Sequence, residues 1–256
     1  MFAKFIIDYQ TNIFKELSKS IDFEDITNGR QGAVLVDIKL SSKIIPIVRT
    51  TTSYNKPAQQ FLPIHYDIIE NIKKVTKFDG LEFNNALIEI YDSKYRSMKY
   101  HSDQSLDLAD DSYICIFSCY DNPIDIRKLK IKEKTTGECL DILLENNSVV
   151  LFSLSTNSKY LHKIILESNT SNNKWLGITF RLSKTFIKFV DEIPYFIKFV
   201  DEIPYFYTNN KILRTANSED EKKEFYKNRS KENLNVGHNY PEFDYTISVS
   251  DVLSVK

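Results

Sequence analysis

The chain has 256 residues, 42% of them apolar, and carries 34 Lys and Arg against 35 Asp and Glu. That length and apolar share exclude a disordered chain and a small disulfide-held scaffold. A net charge of −1 supplies no overall positive field for nucleic acid or anionic membrane, so any polyanion site has to be a local patch.

In residues 1–20, Phe2, Phe5, Ile6, Ile13, Phe14 and Leu17 are spaced for an amphipathic helix that covers a sheet. GAVLVDIKL (32–40) alternates Val34, Val36 and Ile38, and KIIPIV (43–48) follows a Ser-Ser turn, which predicts a hairpin. Pro57 and Pro63 bracket a loop ahead of a helix over 65–78, where Ile68, Ile69, Ile72 and Val75 recur at helical steps. Seven strands then follow, at 86–91, 113–120, 127–134, 139–144, 148–154, 162–168 and 175–183. Short β-branched and aromatic runs separated by Asn, Asp, Ser and Gly predict two facing sheets of sandwich or jelly-roll type. The decapeptide IKFVDEIPYF occurs at 187–196 and again at 197–206, and reads as a slippage duplication in an extended surface segment. Residues 207–256 are polar and read as a peripheral extension with a helix at 218–232.

Cys115, Cys119 and Cys139 are odd in number and form no Cys-x-x-Cys pair, which argues against a disulfide framework and a thiolate zinc site. Cys115 and Cys119 share one face of a strand and read as core. Lys128, Lys130, Lys132 and Lys134 mark the wet face of another, and could form a local basic patch. No apolar run reaches the roughly 18 residues of a membrane span, and Asp8 and Gln10 interrupt the start before signal-peptide length. A soluble intracellular protein, cytoplasmic or nuclear, is expected.

Only four histidines are present: His65, His101, His162 and His238. His101 and Asp103 sit at i and i+2, so on an extended strand both project to one face. His162 opens a later strand that a face-to-face sandwich can bring opposite. Two imidazoles and a carboxylate make the facial triad of non-haem Fe(II) oxygenases, with positions left for a co-substrate and dioxygen. Taken alone, His-x-Asp is a weak signal and reads more readily as a surface-loop pair sharing a hydrogen bond. Arg181 lies on the strand after His162. It is either the fork that clamps a carboxylate of a dicarboxylic co-substrate such as 2-oxoglutarate or an exposed residue paired with a neighbouring acid.

Several segments, in order and spacing, resemble the AlkB-like Fe(II)- and 2-oxoglutarate-dependent dioxygenases. RTTTSYNKPAQQFLPIH (49–65) resembles their nucleotide-recognition lid, FNNALIEIY (83–91) the segment ahead of the metal motif, and SMKYHSD (97–103) that motif. NSVVLFSL, YLHKI and WLGITFRLS, within 147–183, resemble the distal His and terminal Arg strand. The resemblance implies an α+β fold with a mainly β core, a double-stranded β-helix (jelly roll) with flanking N-terminal helices. It implies Fe(II) held by His101, Asp103 and His162, with 2-oxoglutarate and O2 as co-substrates. Tyr91 matches a tyrosine that contacts 2-oxoglutarate, and Arg181 matches the last Arg of the family's Arg-x-Asn-x-Thr-x-Arg strand. The position of the family's first Arg holds Trp175 and that of its Asn holds Gly177, so Lys174 or Arg181 is expected to meet the far carboxylate. Glu89 and Ser105 also depart from the pattern.

The activity implied is oxidative demethylation of an N-methylated base in DNA or RNA, as in DNA repair. The base has to be single-stranded or flipped out, with Tyr54 and Phe61 stacking and Arg49 and Lys56 on phosphates. Two alternatives share the scaffold: a protein or small-molecule hydroxylase, and a catalytically degenerate jelly-roll binding protein. The expected organisation is an N-terminal helical extension (1–30), a dioxygenase domain (31–186), the repeat (187–206) and the C-terminal extension (207–256).

Overall fold

The computed structural model describes residues 1–38, 44–168, 173–191, 202–206, 208 and 211–256. The first part of the chain forms β1 (Ala3–Ile6), α1 (Phe14–Ser20), β2 (Glu24–Thr27), β3 (Arg30–Val36), β4 (Ile44–Pro46), β5 (Gln59–Gln60) and α2 (Pro63–Thr76). Seven strands follow where the alternation places them: β6 (Asn85–Tyr91), β7 (Tyr113–Tyr120), β8 (Arg127–Glu133), β9 (Cys139–Leu144), β10 (Ser148–Ser153), β11 (Tyr160–Ile165) and β12 (Trp175–Arg181). A short helix, α3 (Leu154–Lys159), joins β10 to β11. The chain ends with β13 (Phe186–Asp191), β14 (Glu202–Phe206), β15 (Arg214–Thr215), α4 (Glu219–Leu234) and β16 (Tyr245–Thr246).

Among the described residues the major sheet runs β1-β10-β7-β12-β6-β3-β2, with β5 beside β3, and the minor sheet runs β11-β8-β9. The two-residue period of each strand decides what lies between them. From β3, β6, β7 and β12, the residues Leu35, Ile88, Phe117 and Phe180 point to one face and pack with Phe14 and Leu17 of α1 and Ile68 and Ile72 of α2. The opposite face carries Tyr91, Ile116 and Trp175, which pack with Leu129, Ile131 and Ile164 of the minor sheet. This is a jelly-roll sandwich with helices on its outer face. Cys115 and Cys119 lie in the helix-side core, and burial pushes both thiols up, so they pack and do not react.

Three expectations change. Residues 1–20 are not one helix: Phe2 packs on Phe152 at 4.7 Å and Phe5 against the helix-side core, an alternation that pairs Ala3–Ile6 with β10 at the sheet edge. Helix formation starts only at Phe14, whose N–H is received by Asn12 Oδ1. The hairpin over 32–48 does not form, because β3 is occupied by β2 and β5 on one side and β6 on the other. β4 pairs with β13 instead, and the Ser-Ser turn lies outside the described residues. The described ends of the repeat are not surface strands either, since Ile187, Phe189 and Phe206 are buried with Ile45, Ile47 and Leu213.

The first half of one copy pairs with the second half of the other. β13, from the first copy, pairs antiparallel with β14, from the second, with Ile187 opposite Phe206 and Val190 opposite Ile203. The first position of the decapeptide thus meets the tenth and the fourth meets the seventh, which is also the register one copy would adopt folded on itself. Residues 192–201, between the strands, lie outside the described residues. Excising those ten residues regenerates one intact decapeptide whose halves retain four of the five ladder pairs around a two-residue turn. A shorter closure carries a smaller entropic cost. The excised protein is expected to stay folded, with a urea midpoint corresponding to a change of about 1 kcal/mol or less; collapse of the transition would mean that the extra residues hold the fold.

Candidate active site

The metal-type residues converge through the backbone. His101 lies in an extended segment that makes one isolated antiparallel bridge to His162 of β11, with His101 N donating to His162 O at 3.0 Å and His162 N donating to His101 O. Direct pairing sets the two imidazoles side by side, ring centres 4.7 Å apart. Asp103, two residues on, is held by Asn157 of α3. The Asn157 Oδ1 accepts from Asp103 N at 2.7 Å, and its Nδ2 donates to Asp103 O at 2.7 Å. One ligand atom from each of His101, Asp103 and His162 lies within 4.8 Å of the others.

The protonation states of His101 and Asp103 suit a cation. His101 Nδ1 faces the Lys99 carbonyl at 3.0 Å, so it carries the proton and leaves the Nε2 lone pair free. Burial, with the neighbouring His162 ring and the Arg229 charge, pushes the His101 imidazole down to about 3, which keeps it neutral. Burial alone would raise the Asp103 carboxyl. Arg181, with Nε 3.5 Å from Asp103 Oδ2, together with His162 and His101 holds it well below the usual carboxylate range. Neutral imidazoles and a charged carboxylate are the forms a metal takes up. Asp103 Oδ2 is buried without a hydrogen-bond partner among the described residues, and His162 Nε2 lies 3.6 Å from Asp103 Oδ1 without a hydrogen bond between them. Such a cluster is costly until a ligand satisfies it, and two nitrogens with one carboxylate oxygen suit Fe(II).

The triad lines a cavity of about 710 Å³ between the sheets. Tyr91 and Arg181 line it as expected, and Arg181 is buried, not exposed. Lys174 does not. It is exposed, in a separate cleft with Asp92 and Lys94, because Trp175, its neighbour on the strand, takes the inward face. The Trp175 indole lies over Gly177, where a Cβ would overlap its ring. The two departures on this strand are therefore one event: a flat ring occupies the space of the side chain two residues on.

The lid-like segment contributes differently from expectation. Thr50, Thr51 and Thr52 line the cavity, whereas Arg49, Tyr54 and Phe61 are 4%, 1% and 3% exposed. Arg49 forks onto Asp107, with Nη2 to Oδ1 at 2.7 Å and Nε to Oδ2 at 3.0 Å. The Tyr54 hydroxyl donates to Glu89 at 3.2 Å, and Phe61 packs edge-on to Phe180 in the helix-side core. None is free to take a base or phosphate. Lys56 is held by Asp22 at 2.6 Å. Of the four lysines expected as a basic patch, three are engaged: Lys128 pairs with Glu167, Lys130 with Asp141, and Lys134 donates to the Glu232 carbonyl.

Other cavity residues escaped the sequence reading. α4, expected at the periphery, brings Tyr226, Arg229, Ser230 and Asn233 to the cavity wall. Its Arg229 donates to the Ser102 carbonyl, Asn233 accepts from Ser102 N at 3.0 Å, and Glu232 accepts from the Ser105 hydroxyl at 2.6 Å. The metal motif is therefore held from the far end of the chain. Arg30, on β3, also lines the cavity and forks onto Glu89 at 2.5 and 2.8 Å. Its inward alternation with Gly32 and Val34 was the available signal.

A double-sheet jelly roll with two imidazoles and a carboxylate inside is the frame of a non-haem iron oxygenase. Residues 39–181 match the family profile of the 2OG-Fe(II) oxygenase superfamily. That is more than half of the chain, and the protein belongs to this superfamily. It is an oxidoreductase, a dioxygenase with Fe(II), 2-oxoglutarate and O2 as its cofactor and co-substrates. Among solved structures it is similar to one titled "The structure of OsALKBH1", at 14% identity and a TM-score of 0.40, covering 62% of this chain and 83% of that one. No curated protein matches the chain. No helix among the described residues is long and apolar enough to cross a membrane.

The correction at Arg49 is testable. Breaking a buried ion pair by removing one partner costs about 3–5 kcal/mol. Arg49→Ala is expected to lower the urea midpoint by that amount; an unchanged midpoint would return Arg49 to the candidates for ligand binding.

Proposed function

We propose that this dioxygenase acts in the AlkB-like manner, oxidising an N-methyl carbon on a nucleobase of DNA or RNA. The reading is supported by the ordered segments that resemble that family and by one observation of geometry: the triad lines an open cavity whose wall carries Tyr100, Lys99 and Tyr226, the last 47% exposed. An exposed tyrosine offers a stacking face, and base–aromatic stacking contributes about 1–3 kcal/mol. A base within a duplex cannot reach such a site, so it enters unpaired.

In this reading His101, His162 and Asp103 would hold Fe(II), His101 through the Nε2 left free by its Nδ1–Lys99 contact. Lys99 O fixes the tautomer of His101, Asn157 fixes the backbone of Asp103, and Arg181 keeps its carboxylate charged. Bound there, Fe(II) with 2-oxoglutarate and dioxygen supplies the oxidation of a substrate C–H bond, with succinate and carbon dioxide as co-products. A hydroxylated N-methyl group is a hemiaminal and leaves as formaldehyde.

Burial of Arg49, Tyr54 and Phe61 favours a second reading, hydroxylation of a protein or small molecule on the same iron core, since the expected lid contacts to nucleic acid are absent. Succinate and formaldehyde release, measured over methylated single-stranded oligonucleotides and a peptide library, separates the two. Formaldehyde with oligonucleotides is expected; turnover with peptides alone would overturn the nucleobase reading. Asp103→Ala removes the one carboxylate ligand, and iron-dependent succinate production is expected to fall to background. Retained turnover would move the metal site elsewhere.

A further inference from the structure

A dicarboxylic co-substrate brings two negative ends into the cavity, and a carboxylate buried without a partner is strongly disfavoured. One end belongs at the metal. Among the described cationic residues lining the cavity, Arg181 faces the metal-side carboxylate of Asp103, Arg229 is engaged by Glu232 and the Ser102 carbonyl, and Lys99 is exposed. Arg30 remains.

Three strands set the position of Arg30. It stands opposite Tyr91 on β6, and Tyr91 stands opposite Trp175 on β12. The Arg30 guanidinium carbon lies 6.0 Å from the Tyr91 ring centre and 5.7 Å from that of Tyr95. A guanidinium has five N–H donors. Nε donates to Glu89 and Nη2 to Glu89 and Thr52, the Tyr95 hydroxyl is a further hydrogen-bonding neighbour, and no carboxylate among the described residues takes the two on Nη1. Glu89 is itself shared, accepting from the Tyr54 hydroxyl at 3.2 Å and the Tyr91 hydroxyl at 2.6 Å. The fork can therefore keep Nε on Glu89 and offer Nη1 to a second carboxylate without leaving Glu89 bare.

We propose that Arg30 binds the far carboxylate of 2-oxoglutarate, and that Glu89 competes with that carboxylate for the same guanidinium. The inference rests on the metal site proposed above. Trp175 seals the row beside Tyr91 with an uncharged ring, so the cation reaches the subsite from β3 instead of β12. Glu89 then sets affinity: with it ionised the Arg30 site is neutral overall, and the ligand gains hydrogen bonds against a repelling neighbour.

The test compares 2-oxoglutarate with 2-oxopentanoate, which carries a methyl in place of the far carboxylate. Both are titrated into the Zn(II)-loaded full-length protein. Trp175 is the only tryptophan and lines the cavity, so its fluorescence reports binding, and calorimetry repeats each titration without the indole. Arg30→Gln combined with Glu89→Gln removes both charges and leaves no unpaired ion. It is expected to weaken 2-oxoglutarate about tenfold or more, the size of a charge-assisted hydrogen bond, and to leave 2-oxopentanoate unchanged. Glu89→Gln alone is expected to tighten 2-oxoglutarate only. Unchanged 2-oxoglutarate affinity in the double variant, or equal losses for both acids, would overturn the role of Arg30 while leaving the metal site standing. Absence of Zn(II)-dependent binding of either acid to the unsubstituted protein would sink the metal site and this proposal together.

Discussion

The reciprocal pair of backbone hydrogen bonds between His101 and His162 is the constraint on which the site depends. One residue lies in a connection and the other on the minor sheet, and direct pairing is what makes their imidazoles neighbours. Everything else near the triad maintains that juncture. Asn157 clamps the segment after it from α3, Arg229 and Asn233 clamp it from α4, and the sandwich core of Ile116, Ile131 and Ile164 keeps the sheets at the separation the pair requires.

Charge in the cavity is arranged in two layers. Beside the imidazoles, Asp103 is balanced by Arg181. At the other end, Arg30 is balanced by Glu89, which Tyr54 and Tyr91 also support. Buried ions are tolerated only when paired and hydrogen-bonded, so each end is self-contained before any ligand enters. The buried Arg49–Asp107 pair repeats the same solution outside the cavity. It ties the start of the lid-like segment to the chain after the metal motif, and Arg49 Nη1 continues to the Phe243 carbonyl at 2.8 Å. A residue type that in sequence suggests a phosphate contact serves here as an internal strut.

The C-terminal segment changes the meaning of the cavity. α4 begins with Ser218 capping the Glu221 N–H and carries few apolar side chains, but Phe225, Phe243 and Tyr245 form a small cluster of their own that fixes the helix against the metal motif. Its inward side then presents Tyr226, Ser230 and Asn233 to the cavity. Part of the cavity wall is thus built from residues far along the chain from His101, Asp103 and His162.

Strand positions from 85 to 181 were legible because alternation is local: a two-residue period such as Ile114, Ile116 against Cys115, Phe117 assigns faces wherever the strand pairs. The three metal-type residues were legible for the same reason, since i and i+2 spacing and an inward strand position follow from that period, and a resemblance to a known family joined them. Pairing partners were not. Whether β4 joins β3 or β13, whether the decapeptide extends or folds on its copy, and whether Arg49, Tyr54 and Phe61 face ligand or core depend on which edges and faces distant elements have already covered. The same holds for the cation opposite Tyr91: the sequence determined that an inward arginine stands at position 30, and only the closing of three strands side by side decided that its charge belongs to the cavity.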